Sequence, residues 1–131
     1  MILKQYNIST GTEGFYNITE QVQSTLAESG IRDGLCVVYC PHTTAAITIN
    51  ENADPDVVHD MLLGLRKAFP DRAEFRHAEG NSSAHLRSSA LGNSVTVIAS
   101  QGRLVLGTWQ SIYFCEFDGP RTRKFFVRVS G

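Results

Sequence analysis

The sequence lacks a long apolar run, and no stretch reaches the roughly 18 residues that a membrane-spanning helix needs. Its first residues lack the basic start, apolar segment and small-residue cleavage site of a secretion signal. The three cysteines form no Cys-x-x-Cys pair and lie among apolar neighbours, as free thiols do in a reducing compartment. We therefore expect a cytoplasmic protein with no membrane partner.

An excess of charge of one sign is also absent. The 12 Lys and Arg side chains nearly balance the 13 Asp and Glu side chains, which leaves a net charge of −1. A nucleic-acid-binding protein would usually be basic overall or carry a basic stripe with aromatic residues, so we expect no nucleic-acid partner. Residues 86–131 nevertheless hold six basic and two acidic side chains, a local charge of +4. A local anion site therefore stays open, although basic residues along strands more often form a solvated face.

The pattern of apolar residues predicts a single domain, residues 1–131, without linker or repeat. The element order is β-α-β-β-α-loop-β-β-β-β, an α+β fold with a mostly antiparallel sheet and two main helices. The helices are predicted at 18–29 and from Asp54-Pro55 to residue 69, and the strands at 2–9, 35–40, 44–50, 95–99, 103–106, 111–117 and 123–129. Residues 71–93 predict a polar loop that contains a short helical turn at 84–91.

Two of these strands, 35–40 and 111–117, are apolar on both faces. Such a strand is buried on both sides, either between layers or at a subunit contact. Two helices cannot cover all of this apolar surface, so we expect an oligomer.

Three of the four histidines, His42, His77 and His85, lie in polar stretches where packing requires no histidine. Imidazole is the commonest protein metal ligand at neutral pH, and three histidines with one open position are typical of a catalytic zinc site. Their spacings match no ligand motif, so the alternative is a satisfied core histidine at 42 and two loop histidines. We expect a structural role for His59, which lies within a helix at the border of its apolar face.

Polar residues also gather at the start of the second predicted helix. Asp54 precedes Pro55, so it is expected to cap this helix. The same helix start, with Glu51 and Asn52 beside it, would alternatively lie near His42, where a carboxylate orients a histidine or acts as a general base. The two roles are compatible.

The stretch at 80–87 (GNSSAHLR) has the components of an anion cradle, namely a glycine, serine hydroxyls, a helix start and Arg87. A helix cap followed by a short helix explains it equally well.

Trp109 follows an apolar run and is expected in the core or at an interface, with Gln110 lining a pocket. The sequence has no phosphate-binding P-loop, dinucleotide fingerprint or Gly-x-Ser-x-Gly motif, so serine or cysteine nucleophile chemistry has no support.

Five motifs follow one another along the chain: HTTAAI at 42–47, NENADPD at 50–56, HAEGN at 77–81 with Ala84-His85, GRL at 102–104 with LGTWQ at 106–110, and EFDGPR at 116–121. Together they resemble the YjbQ family, the uncharacterised protein family 0047, which is also labelled secondary thiamine-phosphate synthase. The resemblance runs along the whole chain.

This resemblance implies a YjbQ-like α+β domain that forms a homotrimer through packed sheets. It also implies a polar pocket at a subunit boundary that binds a small-molecule substrate and a divalent metal, zinc or, with a phosphate substrate, magnesium. The expected catalytic residues are Asp54, His77 and Glu79. The expected metal ligands are His42, His77 and His85. The expected substrate ligands are Thr43, Asn52, Asn81, Arg87, Arg103 and Gln110.

The family label implies the transfer of a pyrimidine diphosphate onto a thiazole phosphate, with loss of pyrophosphate. Such a reaction needs a divalent cation to hold the diphosphate. It also needs positively charged donors for the leaving group, and Arg87, Arg103 and Arg121 are available for that role. Three histidines suit zinc and hydrolysis better. The sequence therefore supports three hypotheses: this transferase, a metal-dependent hydrolase of a small phosphorylated or acyl substrate, and a non-catalytic trimer that binds a metabolite or metal.

Overall fold

The computed structural model describes residues 2–131. Within this range the chain forms three helices and eight strands. In chain order they are β1 (Ile2–Ser9), β2 (Gly14–Asn17), α1 (Thr19–Ser29), β3 (Gly34–Tyr39), β4 (Ala45–Glu51), α2 (Pro55–Ala68), α3 (Ser82–Leu91), β5 (Ser94–Ser100), β6 (Arg103–Leu104), β7 (Gln110–Glu116) and β8 (Thr122–Ser130).

The strands form two sheets in which every neighbouring pair is antiparallel. The larger sheet has the order β1-β8-β3-β5-β6, and the smaller has the order β2-β7-β4. The predicted α+β fold with mostly antiparallel pairing is therefore confirmed.

The main core lies between the two sheets and is closed by α1. Alternate residues of β8 point into it because side chains alternate between the faces of a strand. Phe114 of β7 is also completely buried there, a burial that contributes roughly 1.5–3 kcal/mol. The buried members of this core include Val22, Leu26, Cys36, Val38, Ile47, Phe114, Phe125, Val127 and Val129.

A second, smaller core lies on the other face of the smaller sheet. Tyr113 and Cys115 of β7 point into it, and partly buried leucines of α2 and α3 pack against them. β7 is therefore buried on both faces, as its apolar pattern predicts, because one face meets the larger sheet and the other meets the helices.

Two elements differ from the sequence prediction. β2 was missed because it is only four residues long, and it joins the smaller sheet by pairing Phe15 with Cys115. The predicted turn at 84–91 is instead the ten-residue helix α3. Its buried residues include Ser83, Arg87 and Ser88, so the apolar periodicity that would have predicted a full helix is missing.

The outward face of the larger sheet carries apolar side chains in contact with solvent. Leu3, Leu35, Tyr39 and Ile98 are all at least 42% exposed. β3 is thus buried on one face only. The prediction that it lies between two layers of one chain is therefore wrong, and the alternative of a subunit contact stays a prediction. α2 likewise contains no fully buried residue.

Two single-residue predictions concern side chains that are exposed. His59 interacts with Asp60, its neighbour in the sequence, so any structural role it has is at the surface of α2. Trp109 is 62% exposed, so the core position is wrong for it, and a position at an interface stays a prediction. Among the helices of residues 2–131, none is long and apolar enough to cross a membrane.

Candidate functional site

Three segments that are distant in sequence meet beside the smaller sheet and enclose a cleft of about 400 Å³. They are the connection from β3 to β4, the segment that leads into α3, and the connection from β7 to β8. We refer to this site as the histidine cleft. Its lining residues are Pro41, His42, Thr43, Thr44, His77, Glu79, Asn81, His85, Asp118, Arg121 and Arg123.

The segment that leads into α3 brings two histidines together. The rings of His77 and His85 meet edge to face, with their centroids 5.5 Å apart. Glu79 Oε1 lies 3.9 Å from His77 Nε2. Asn81 lies one helical turn before His85, which places both side chains on the same face of the helix. The grouping of these four residues follows from local chain geometry.

Asn81 links this segment to the opposite wall of the cleft. Its Nδ2 donates a hydrogen bond to Asp118 Oδ2 at 2.8 Å and a longer one to Glu79 Oε2 at 3.4 Å. Its Oδ1 is buried without a hydrogen-bond donor. A buried acceptor of this kind is costly in a folded protein, so it marks a place where a bound molecule or water would be favoured.

His42 has a different environment from the other two cleft histidines. Its Nε2 accepts a hydrogen bond from the backbone N–H of Lys124 at 2.9 Å, so the ring proton of the neutral form lies on Nδ1. Burial lowers the pKa of His42, and the nearby positive charge of Arg123 lowers it further. His42 is therefore held as a neutral imidazole with one N–H donor.

The donor set does not fit a three-histidine metal centre. A metal ligand needs the free lone pair of a neutral imidazole, and in His42 the Lys124 N–H already occupies it. Across the described part of the chain, no group of three or more His, Cys, Asp or Glu side chains is arranged to hold a metal ion.

A buried ion pair forms the back wall of the cleft. Glu116 of β7 is fully buried, and Arg123 of β8 is only 4% exposed. Arg123 donates from Nε to Glu116 Oε1 at 2.8 Å and from Nη2 to Oε2 at 2.6 Å. Nη2 also donates to Thr44 Oγ1 at 2.7 Å. The pair therefore ties the two sheets and the start of β4 together at the cleft.

Glu116 extends this network toward the other cationic residue of the cleft. It accepts hydrogen bonds from Thr10 Oγ1 at 2.6 Å and from the backbone N–H of Asp118 at 3.0 Å. Asp118 in turn accepts from Arg121 Nη2 at 2.9 Å. Burial alone would raise the pKa of Glu116, but hydrogen bonds from Arg123, Thr10 and Asp118 outweigh it, so the pKa lies below its ordinary value.

Asn52 and Asp54 lie outside the histidine cleft. They follow the far end of the seven-residue strand β4, roughly 20 Å from its cleft end at about 3.3 Å per residue. Asp54 caps α2 by accepting a hydrogen bond from Asp56 N at 2.9 Å, as predicted. Asn52 Oδ1 accepts a hydrogen bond from Tyr113 Oη at 3.0 Å. One chain therefore does not bring Asp54 to His42.

Three further predicted substrate ligands also lie elsewhere. Arg87 is buried, with Nη1 lying 3.6 Å from Glu13 Oε2, so a protein carboxylate faces the guanidinium that the sequence suggested for an anion. Arg103 is exposed on the edge strand β6. Gln110 Oε1 accepts a hydrogen bond from the backbone N–H of Gly107 at 2.8 Å. Their roles as substrate ligands stay predictions without support from the cleft.

The sequence prediction did not include Glu116, Asp118 and Arg123 among the site residues. A signal was present in the alternation of β8, because Arg123 shares the inward face with Phe125 and Val127. A charged residue at an inward position of a strand needs a buried partner. That requirement would have directed attention to Glu116, the only carboxylate in the strand 111–117.

Together, the fold and cleft define an α+β protein of two packed antiparallel sheets with a polar, histidine-lined cleft at their junction. The chain belongs to the UPF0047 YjbQ-like family, whose model matches residues 4–131. It is 53% identical to the UPF0047 protein YugU of Bacillus subtilis over 124 residues, 94% of each chain. It is 50% identical to a UPF0047 protein of Methanocaldococcus jannaschii over 131 residues, 99% of this chain and 95% of the other.

Solved structures show the same fold. An uncharacterised conserved protein of the YjbQ/UPF0047 family from Clostridium acetobutylicum matches with a TM-score of 0.95 and 52% identity, over 97% of this chain and 99% of the other. A hypothetical protein from Aeropyrum pernix matches with a TM-score of 0.93 and 35% identity, over 100% of this chain and 99% of the other.

Replacing Glu116 with Gln should destabilise the protein strongly, because Arg123 would keep its buried charge without a counter-charge. We expect a loss of about 3–5 kcal/mol in the free energy of unfolding, measured by urea denaturation near pH 7. Glu28→Gln, which removes an exposed ion pair with Lys4, is the matched control and should cost much less.

The same variant has a defined pH dependence. The folded-state pKa of Glu116 lies below the ordinary 4.5, so its contribution is complete above pH 4.5 and is lost as the pH falls through the lowered pKa. The stability difference between the wild type and Glu116→Gln should therefore shrink below pH 4.5. A difference that is small at pH 7, or that grows on acidification, would contradict the role assigned to the pair.

Proposed function

We propose that the chain is an enzyme that acts on small phosphorylated molecules, with the histidine cleft as its active site. The observation that carries this proposal is the convergence of the His77–His85 pair with two arginines in one cleft. Arginine binds phosphate oxygens through several N–H donors, and histidine transfers protons near neutral pH. The two residue types together supply what phosphate chemistry needs.

The arginines are held in position by hydrogen bonds to two acidic residues. Arg121 donates from Nε to the backbone carbonyl of Asp118 and from Nη2 to its carboxylate, and Arg123 donates from Nε and Nη2 to the carboxylate of Glu116. None of these contacts uses Nη1, so each guanidinium keeps donors for a ligand. Donors fixed before the substrate arrives need no reorganisation when charge develops, which favours catalysis.

The pair of His77, which is exposed, and His85, which is half-buried, is the best candidate for proton transfer. Glu79 Oε1 lies 3.9 Å from His77 Nε2, which is beyond hydrogen-bond distance, so it places a negative charge near an imidazole that would act as a general acid or base. His42 is better suited to binding, because its neutral form is fixed and offers one N–H donor. These roles replace the three-histidine metal centre expected from the sequence.

The family resemblance implies a specific reaction, in which the pyrimidine group of a pyrimidine diphosphate is joined to a thiazole phosphate and pyrophosphate leaves. In this cleft Arg121 and Arg123 would bind the departing pyrophosphate. Because the histidines do not fit a resident zinc ion, we propose magnesium that arrives with the diphosphate, with Glu79 and Asp118 as the nearest carboxylates. Magnesium would offset the negative charge of the diphosphate.

The transferase proposal predicts that the purified protein forms thiamine phosphate from the two phosphorylated precursors with added magnesium. His77→Ala and His85→Ala should each lower the rate by about 100-fold or more, since a positioned proton-transfer group contributes that much. His59→Ala is the matched control, because His59 is exposed on α2 outside the cleft. Product formed at an unchanged rate by both cleft variants would refute the proposal.

A metal-dependent hydrolase is the second candidate, and the contact between His77 and His85 favours it. Its substrate would be a small phosphorylated or acyl compound. It requires a tightly bound ion, whereas a transferase that takes up magnesium with its substrate does not. The non-catalytic binding protein would instead bind phosphate compounds in the same cleft without turning them over.

Metal content separates these alternatives. Because the lone pair of His42 is engaged, we expect untagged protein purified without chelator or added metal to hold far less than one zinc per chain, measured by elemental analysis. One zinc per chain, lost in His85→Ala and retained in His59→Ala, would contradict this expectation and favour the hydrolase.

We also propose that the protein is a homotrimer, as the resemblance implies, with the outward face of the larger sheet as part of the contact. This face exposes Leu3, Leu35, Tyr39 and Ile98, and large contiguous apolar surfaces on a folded chain usually mark an interface.

The trimer proposal predicts a solution mass by light scattering three times the 14.4 kDa of one chain. Ile98→Glu should lower that mass, because it buries an unpaired charge in the contact. Leu86→Glu introduces the same charge on the exposed side of α3 and should leave the mass unchanged. A wild-type mass equal to one chain would overturn the proposal.

A further inference from the structure

A second cavity adjoins the histidine cleft and shares His42 and Thr43 with it. It has a volume of about 370 Å³ and is enclosed by the β3–β4 connection and the C-terminal half of α3. We refer to it as the hydroxyl cavity. Its lining residues are His42, Thr43, Ala45, Ser88, Ser89, Gly92 and Asn93. None of these side chains is a carboxylate, lysine or arginine.

The hydroxyl cavity has a wall fixed by backbone hydrogen bonds. Gly92 N–H donates to Ser88 O at 2.9 Å, and Gly92 O accepts from Ile47 N–H at 3.1 Å. Asn93 O accepts from Cys40 N–H at 2.8 Å. The end of α3 is thus joined to β4 and to the end of β3, so the cavity is preformed.

Ser88 supplies a polar group that this chain does not satisfy. The residue is 6% exposed, and its Oγ has no hydrogen-bond partner. A buried hydroxyl left without a partner costs free energy, and native proteins rarely keep one without a reason. Because Oγ itself is closed off from solvent, a ligand hydroxyl in the hydroxyl cavity would satisfy it only after the Ser88 side chain rotates toward the cavity.

His42 stands at the junction of the charged cleft and the uncharged cavity. The Lys124 N–H occupies its Nε2, so its Nδ1–H remains as a donor. One molecule that spans the junction would therefore meet arginines at one end, His42 in the middle and hydroxyl and amide groups at the other end.

We propose that the hydroxyl cavity binds the uncharged, hydroxyl-bearing part of a substrate whose phosphate group occupies the histidine cleft. This inference rests on the proposed function for the phosphate end. A charged group would lose water in the hydroxyl cavity without gaining a counter-charge. An apolar group would cover the polar side chains of Thr43, Ser89 and Asn93 without offering them a hydrogen bond.

The test compares three phosphate probes by isothermal titration calorimetry at one pH and salt concentration. Inorganic phosphate reports on the cleft alone. Glycerol 3-phosphate and propyl phosphate have the same carbon chain and differ by two hydroxyl groups. We expect glycerol 3-phosphate to bind about tenfold more tightly than propyl phosphate, the gain of one or two net hydrogen bonds.

Two neighbouring substitutions on α3 locate the effect. Ser89→Leu fills the hydroxyl cavity, whereas Ala90→Leu adds the same side chain at an exposed position that does not line it. Ser89→Leu should remove the advantage of glycerol 3-phosphate and leave the affinity for inorganic phosphate unchanged. Ala90→Leu should keep the tighter binding of glycerol 3-phosphate and should also leave the affinity for inorganic phosphate unchanged.

Each other outcome decides between the two proposals. If the wild type binds inorganic phosphate but binds glycerol 3-phosphate and propyl phosphate with equal affinity, this inference is overturned and the proposed function stands. An advantage that survives Ser89→Leu would overturn it too. If the wild type binds none of the three probes, the phosphate role of the cleft fails, and this inference fails with it.

Discussion

The buried pair of Glu116 and Arg123 is the interaction on which the candidate site depends. It joins β7 of the smaller sheet to β8 of the larger sheet, and Arg123 also reaches Thr44 at the start of β4. Removing two charges from water is expensive, and apolar residues of similar volume often stabilise a core at least as well. The pair is therefore poorly explained by stability alone. Its position accounts for it, because the carboxylate fixes a guanidinium at the wall of the histidine cleft.

The same carboxylate also positions the second arginine of the cleft. Glu116 accepts the backbone N–H of Asp118, and Asp118 binds both Arg121 and Asn81. The wall is thus one connected set of hydrogen bonds that begins at a fully buried group and ends at the first turn of α3. A network in which nearly every member is satisfied holds its geometry, whereas one with a missing partner loses it. Asn81 lines the cleft, and its Oδ1 is the one buried acceptor of this network that has no partner within residues 2–131.

Much of the fold could be predicted from the sequence, because alternation and helical periodicity are local signals. β7 illustrates this success, since its two apolar faces correspond to two real cores. β2 is too short to show a period, and α3 buries serines and an arginine, so its pattern does not indicate a helix. The site was predicted in part. The polar stretches around His42, His77 and His85 do meet, but the contribution of Glu116 depends on a pairing across two sheets that no local pattern contains.

The polar motifs of the sequence thus separate into two groups at opposite ends of β4. At the far end, Asp54 caps α2 and Asn52 accepts a hydrogen bond from Tyr113, so each side chain has a structural role, and both also line a separate cleft. At the cleft end, His77, His85 and Arg121 belong to no core, and His77 and Arg121 are exposed. Arg121 is held by Asp118, whereas packing alone gives no reason for two histidines at this place. Within one chain, the histidine cleft is therefore the better candidate for chemistry, and the contact that the structure shows for Asp54 is the cap of α2.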